Sequence, residues 1–228
     1  MLKLLISAAA AAAIGITSAQ ATTFIFKGDG GLQDVPTGNI ALDCGSVGAD
    51  YCTADDTLGF AYAKDGISFT VKAFANNLIT QLIQDISPAN SGLGALSEAD
   101  ASQDQTQFGA AEAIEFVFNQ VVTLTNLEFN QGDETDCSAA AGGEGPCGNF
   151  DLFIDNVLFA NLAAVDLLAG GFTGTTFRFV ATTPGAGFAL AQFAIDQQVI
   201  PLPAAWPLLL SGVAGLTFSA RRRKPRKA

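Results

Sequence analysis

The chain has 228 residues with 22 acids against 11 bases, a formal charge of −11, 18 phenylalanines, four cysteines and no histidine. Without histidine there is no Ser-His-Asp or Cys-His catalytic device, no histidine metal site and no histidine proton shuttle. The acidity excludes nucleic acid and anionic lipid as partners of the segment that carries it, because both repel a surface of that sign.

Residues 1–21 read as a signal peptide. Lys3 precedes an apolar stretch from Leu4 to Ile16, and Ser18-Ala19-Gln20-Ala21 supplies the small-x-small pattern cut by signal peptidase, here after Ala21. Residues 22–198 are then the size of one domain with a substantial core. They hold all 22 acids and only Lys27, Lys64, Lys72 and Arg178 as bases, a formal charge of −18.

From Thr22 onward the apolar residues alternate with a period of two. The runs "TFIFKG" (23–28), "GISFTVKAFA" (66–75), "EAIEFVFN" (112–119), "VTLTNLEFN" (122–130), "NFDLFIDNVLF" (149–159), "TTFRFVA" (175–181) and "FALAQFAID" (188–196) are predicted strands. They are rich in Phe, Val, Ile and Thr and are bounded by Gly, Asn, Asp or Pro. Ile114, Phe116 and Phe118 share one face.

Between these runs the sequence is punctuated. Leu78, Leu82 and Ile83 fall near one helical face, so residues 76–86 are expected to form helical turns, with a strand as the alternative. Residues 88–111 read as one long polar connection, and connections of that length carry function or motion more often than short ones. Gln120-Val121 predicts a tight hairpin or a bulged corner, and Asp155-Asn156 predicts a turn. The expected fold is all-β, an antiparallel two-sheet sandwich with jelly-roll-like connections.

The cysteines suit an oxidising compartment. Cys44 and Cys52 enclose seven residues and Cys137 and Cys147 enclose nine, so each pair reads as a local clasp on a surface loop. Such a ring contributes about 2.5 kcal/mol through loop-closure entropy. Four cysteines allow three connectivities, and the spacing leaves the crossed ones open. Neither pair has zinc-knuckle spacing.

The remaining chemistry is sparse. The glycine clusters at 28–31 and 141–145 lack the strand-to-helix setting of a phosphate loop and read as turns. The phenylalanines are core material, while a sugar-binding face would have to use Tyr51 or Tyr62, exposed beside an acidic loop. Acids cluster at Asp43, Asp50, Asp55 and Asp56, at Glu98, Asp100 and Asp104, and at Asp133, Glu134 and Asp136. These are candidate calcium ligands, with Asp100 and Asp104 ranked first because their loop enters the strand at Glu112; a solvated acidic surface is the alternative. Paired carboxylates also admit a glycan hydrolase, ranked third after a structural protein and a polysaccharide-binding module.

The C-terminal segment has three parts. Ala204–Ala220 is 17 residues without a charge, a helix of about 25 Å against a bilayer core of about 30 Å. Arg221, Arg222, Arg223 and Lys224 come next and hold the far end in the cytoplasm as a stop-transfer element. Ahead of the apolar run, Pro201 and Pro203 keep the chain extended at the membrane surface.

In that order, Val199, Pro201, Leu202, Pro203 and Ala204, the apolar run and the Arg-rich end resemble the PEP-CTERM sorting signal in its Val-Pro-Leu-Pro-Ala form. Ile200 is inserted after Val199, and Leu202 stands where the namesake form has Glu. The resemblance implies an exported protein of a Gram-negative bacterium that passes through an inner-membrane intermediate. Exosortase, a membrane transpeptidase-like enzyme, would then process it for the cell surface or matrix, leaving a mature protein that lacks Trp206 and every residue after it. Residues 22–198 are broadly similar to the Phe-rich β-sandwiches that precede such tails. The family is associated with exopolysaccharide production and the biofilm matrix, which implies a structural or adhesive role there; from its own residues, without histidine and without a diagnostic carboxylate pair, the chain is expected not to be an enzyme.

Overall fold

The computed structural model describes residues 21–28, 31–41, 51–54, 59–86, 92–96, 106–107, 111–130, 137, 147–165, 167–183 and 186–196. These are strands and turns with no helix, so the domain is all-β as its alternation predicts. The strands are β1 (Thr22–Ile25), β2 (Thr37–Gly38), β3 (Ile40–Ala41), β4 (Tyr51–Thr53), β5 (Phe60–Lys64), β6 (Ile67–Ala75) and β7 (Leu78–Asp85). They continue with β8 (Gly92–Leu96), β9 (Thr106–Gln107), β10 (Glu112–Asn130), β11 (Asn149–Ile154), β12 (Val157–Ala163), β13 (Phe172–Ala181) and β14 (Gly187–Asp196).

Local chemistry fixes the hairpins. In β6, Ile67, Phe69, Val71 and Ala73 are buried while the residues between them are half-buried, the period of two of a strand with one face on the core. Asp65-Gly66, Asn76-Asn77 and Asp155-Asn156 join β5 to β6, β6 to β7 and β11 to β12, with φ of 51° and 81°, 50° and 63°, and 49° and 66°. Two successive left-handed residues are what a type I′ turn requires, and Asp, Asn and Gly adopt them at least cost. The turn expected at Asp155-Asn156 is therefore present. The helical turns expected over 76–86 are not: once Asn76-Asn77 reverses the chain, Leu78–Asp85 is a strand, paired with β6 from Leu78 to Thr80 and with the strand at Gly92–Leu96 from Gln81 to Asp85.

The whole set of strands is hydrogen-bonded into one sheet rather than two separate ones. The physical reason is β10, 19 residues long. Its first part pairs with β6 from Glu112↔Ala75 to Phe118↔Phe69, and its last part pairs with β14 from Thr123↔Asp196 to Asn130↔Ala189. At the 120–121 corner the strand is bulged, not turned: the register against β13 shifts between Val117 and Val122 while the pairing continues. The links β10–β14, β14–β8, β8–β7, β7–β6 and β6–β10 then close a ring.

Residues 88–111 are also more structured than expected, since they contain β8 and β9. Gly92, with φ 130°, admits β8 to the ring, because a β-carbon there would lie 2.4 Å from the carbonyl oxygen of Leu190 in β14.

Inside the ring lies an aromatic core. Phe69 contacts Phe24 at 4.7 Å between centroids, Phe118 at 4.8 Å, Tyr62 at 5.2 Å and Phe193 at 5.7 Å. A second group, Phe129, Phe150, Phe179 and Phe188, joins the first through Phe116 and Phe179 at 5.9 Å. Cys137 and Cys147 form a disulfide whose sulfurs are buried against this core rather than standing on the surface. Cys52, buried in β4, is also disulfide-bonded; Cys44 lies outside the described residues.

Candidate functional site

A groove of about 410 Å³ crosses β5, β6 and β10 where β10 turns its corner. The register stacks Tyr62, Phe69 and Phe118 in one row and Ala63 beside Ser68 in the next, so three strands distant in sequence supply one surface. Ala61, Ala63 and Val117 give it an apolar lining and Thr37, Ser68, Thr70 and Asn119 a hydroxyl and amide one, while the Phe69 and Phe118 rings turn the other way, into the core. The Ser68 backbone N–H donates to Asn119 Oδ1 at 3.3 Å, tying β6 to the corner residue. Thr37 Oγ1 donates to the Ala61 carbonyl at 3.0 Å, so part of the rim is held by the sheet.

Among the described residues that line this groove, Tyr62 is the one with a titratable side chain. Tyr62 is 2% exposed, and burial, with smaller contributions from Asp34 and Tyr51, pushes its pKa well above the ordinary value of 10.0. Its hydroxyl donates to Gln84 Oε1 at 2.8 Å, pointing inward. Tyr62 is therefore not the exposed platform a sugar-binding face would use, and Tyr51 is partly buried and packs on the core. The hydroxyl, amide and apolar groups of its described lining suit a neutral, hydroxylated molecule.

Of the domain's four bases, Lys64, Lys72 and Arg178 are in strands and Lys27 follows β1. Lys27 pairs with Glu128, and Lys64 pairs with Asp34 while donating to the Thr23 carbonyl at 2.8 Å. Glu115 lies between Lys72 and Arg178 in register, and the Arg178 guanidinium covers the Phe74 ring at 4.6 Å. Asp155 has a different role. Its Oδ1 accepts from the Thr175 N–H at 2.9 Å, the Thr175 hydroxyl at 2.7 Å and the Thr176 N–H at 2.9 Å, which lowers its pKa below the usual carboxylate value. Neither the groove nor this carboxylate anchor is signalled by a sequence motif; the Asp155-Asn156 turn is the only local hint.

The calcium candidates Asp100 and Asp104, with the other loop acids named with them, lie outside the described residues. So do the sorting residues Val199, Pro201, Leu202, Pro203 and Ala204, the stop-transfer residues Arg221, Arg222, Arg223 and Lys224, and residues 1–20. Among the described residues no group of three acids or cysteines is placed to hold a metal ion, and no helix is long and apolar enough to cross a membrane. Comparison with protein families, with curated proteins and with solved structures finds no match for the chain.

Proposed function

We infer that this is an exported surface or extracellular-matrix protein with a structural or adhesive role. Signal peptidase removes residues 1–21, and the PEP-CTERM-like tail of Val199 onward is sorted and processed by exosortase. The domain is read as a two-layer, jelly-roll-like sandwich whose layers β10 joins. The closeness of Phe24 to Phe69 and of Phe193 to Phe116, at 4.7 and 5.4 Å, supports that reading. The observation that carries the functional reading is that residues 20–197 form one compact unit by themselves. Within it the described strands run from Thr22, immediately after the cleavage site, to Asp196, three residues before the sorting motif. A domain compact between those two points is compatible with removal of both flanking segments. Mass spectrometry of the protein from the cell surface should give Thr22 as the first residue and no peptide from Trp206 onward. Intact tail peptides in that fraction would leave a simple anchor in place of a processed sorting signal.

A second reading, a polysaccharide-binding module assisted by calcium, draws on the groove at the β10 corner. Its polar rim has no charge, which suits a neutral polysaccharide on a domain of charge −18. Affinity electrophoresis in a neutral exopolysaccharide gel should then retard the protein, and retardation unaltered in Asn119→Ala combined with Thr70→Ala would place any binding elsewhere. Calcium at Asp100 and Asp104 should raise the unfolding midpoint at fixed ionic strength where magnesium does not, and Asp100→Asn with Asp104→Asn should abolish that rise.

A further inference from the structure

Both ends of the domain leave it at one place. Thr22 lies opposite Ile195 in antiparallel register, and its hydroxyl donates to Asp65 Oδ2 in the β5–β6 turn at 3.2 Å. Asp196, the last residue of β14, lies opposite Thr123 at the corner of β10. The chain therefore enters and exits on adjacent strands, about 5 Å apart. Three residues lead from Asp196 to Val199, a reach of at most about 10 Å.

Exposed apolar side chains gather at this same end. Val121, 59% exposed, is a residue of the corner itself. Next to it, Val122 lies opposite Gly174 of β13, and Thr123 Oγ1 shares a hydrogen bond with Thr173 Oγ1 at 2.9 Å. A β-carbon on Gly174 would meet the Ile154 side chain at 2.5 Å, so the β11–β12 turn sits against β13 here, held by Asp155. Beyond that turn come Val157, Leu158 and Phe159, 68%, 54% and 58% exposed. The Phe159 ring leans on Phe172, which lies opposite Leu124. The charged residues facing this end are Asp65, Asp155, Asp196 and Lys64, and the ammonium of Lys64 is already paired with Asp34.

We propose that this end of the domain rests on a zwitterionic bilayer surface, with Val121, Val157, Leu158 and Phe159 entering the interfacial zone while the chain beyond Asp196 is inserted in the same membrane. The proposal rests on the reading of residues 199–228 as membrane-inserted. Four side chains give weak affinity by themselves, but a tether of about 10 Å holds them at high effective concentration beside the lipid. The carboxylates at this end disfavour an anionic leaflet. Leu78, 73% exposed, occupies the β6–β7 turn at the opposite end of β6 and serves as the control.

The chain carries one tryptophan, Trp206 in the tail, so tryptophan quenching separates the two ideas. The full chain is reconstituted into phosphatidylcholine vesicles with brominated acyl chains. Native Trp206 reports the tail, and Leu158→Trp, Val121→Trp and Leu78→Trp, each in a Trp206→Phe background, report the domain. Emission from Leu158→Trp and Val121→Trp should be quenched, that from Leu78→Trp should not, and added phosphatidylglycerol should weaken the effect. Quenched Trp206 with unquenched Leu158→Trp and Val121→Trp overturns this proposal and leaves the inserted tail standing. Unquenched Trp206 overturns tail insertion, and the proposal with it. If Leu158→Trp does not fold, Val121→Trp alone decides.

Discussion

Gln84 is fully buried, and its amide is matched on every side. Its Nε2 donates to the carbonyls of Phe26 and Asp34 at 2.9 and 3.0 Å, and its Oε1 accepts from Tyr62. The side chain thus links β7 to the chain after β1 and to β5, a role that no spacing rule signals because the partners are 58, 50 and 22 residues away. Gln84→Leu keeps the volume but strands three polar groups, and should lower stability by about 2–4 kcal/mol in denaturant unfolding. Tyr62→Phe strands only Oε1 and should cost about 1–2 kcal/mol, and combining the two should cost less than their sum. The phenol also sets an alkaline limit. Its folded pKa is raised, so below pH 10 both states are protonated and stability does not depend on it. Above that the unfolded chain releases its proton first, and stability falls as pH rises toward the folded pKa. Tyr62→Phe should flatten the loss of unfolding midpoint above pH 10; an unchanged slope would assign it to other groups.

Two elements show how far a sequence pattern carries. β6 and β13 alternate because each has one face on the core, and that alternation is legible residue by residue. β7 is not, because its end from Leu82 to Asp85 is buried on both faces, so its apolar residues do not alternate and satisfy a helical spacing as well as a strand's. β8, with the sequence GLGAL, is worse still: it has no β-branched or aromatic residue, and it is a strand because β7 and β14 flank it. Its entry depends on Gly92. Gly92→Ala would place a methyl group against the Leu190 carbonyl in a backbone region that L-residues avoid, and should cost roughly 2–4 kcal/mol. Gly66→Ala is the matched control: its turn also has positive φ but nothing stands within 4 Å, so the cost should be about 1–2 kcal/mol. Equal losses in thermal unfolding would show that the close approach to β14 does not matter. The β11–β12 hairpin has its own signature, since Asp155 is held as a carboxylate by Thr175 and Thr176. Its lowered pKa means that its stabilisation is present above the ordinary carboxylate range and disappears as pH falls through the folded pKa. Asp155→Asn keeps an acceptor and the left-handed turn but not the charge, so its deficit in unfolding midpoint should be visible at pH 6 and shrink as pH falls below 3.8.

At the scale of the molecule the decisive pairing is between the first strand and the last. β14 pairs with β1, β8, β9 and β10, and β1 with the residue after it brings Phe24 and Phe26 to the Phe69 and Phe193 rings. A chain that emerges from its N-terminus holds β1 without its partner until nearly the whole domain has been made, so the most non-local contact is also among the last available. Nothing in the sequence announces this closure, since pairing across 173 residues leaves no local trace, and the groove where β5, β6 and β10 meet is equally silent. The apolar alternation shows which faces are inner, whereas the order of strands comes from long-range matching of edges. Adjacent ends predict that covalent order matters less than this pairing. A circular permutant joining Asp196 to Thr22 through a short Gly-Ser linker and opened at Asn76-Asn77 keeps every strand and gives up one exposed turn. It should fold cooperatively with an unfolding midpoint within several degrees of the parent domain. A permutant that stays protease-sensitive would mean that the β6–β7 turn, rather than the β1–β14 closure, organises the ring, because that turn is the only native connection the permutation breaks.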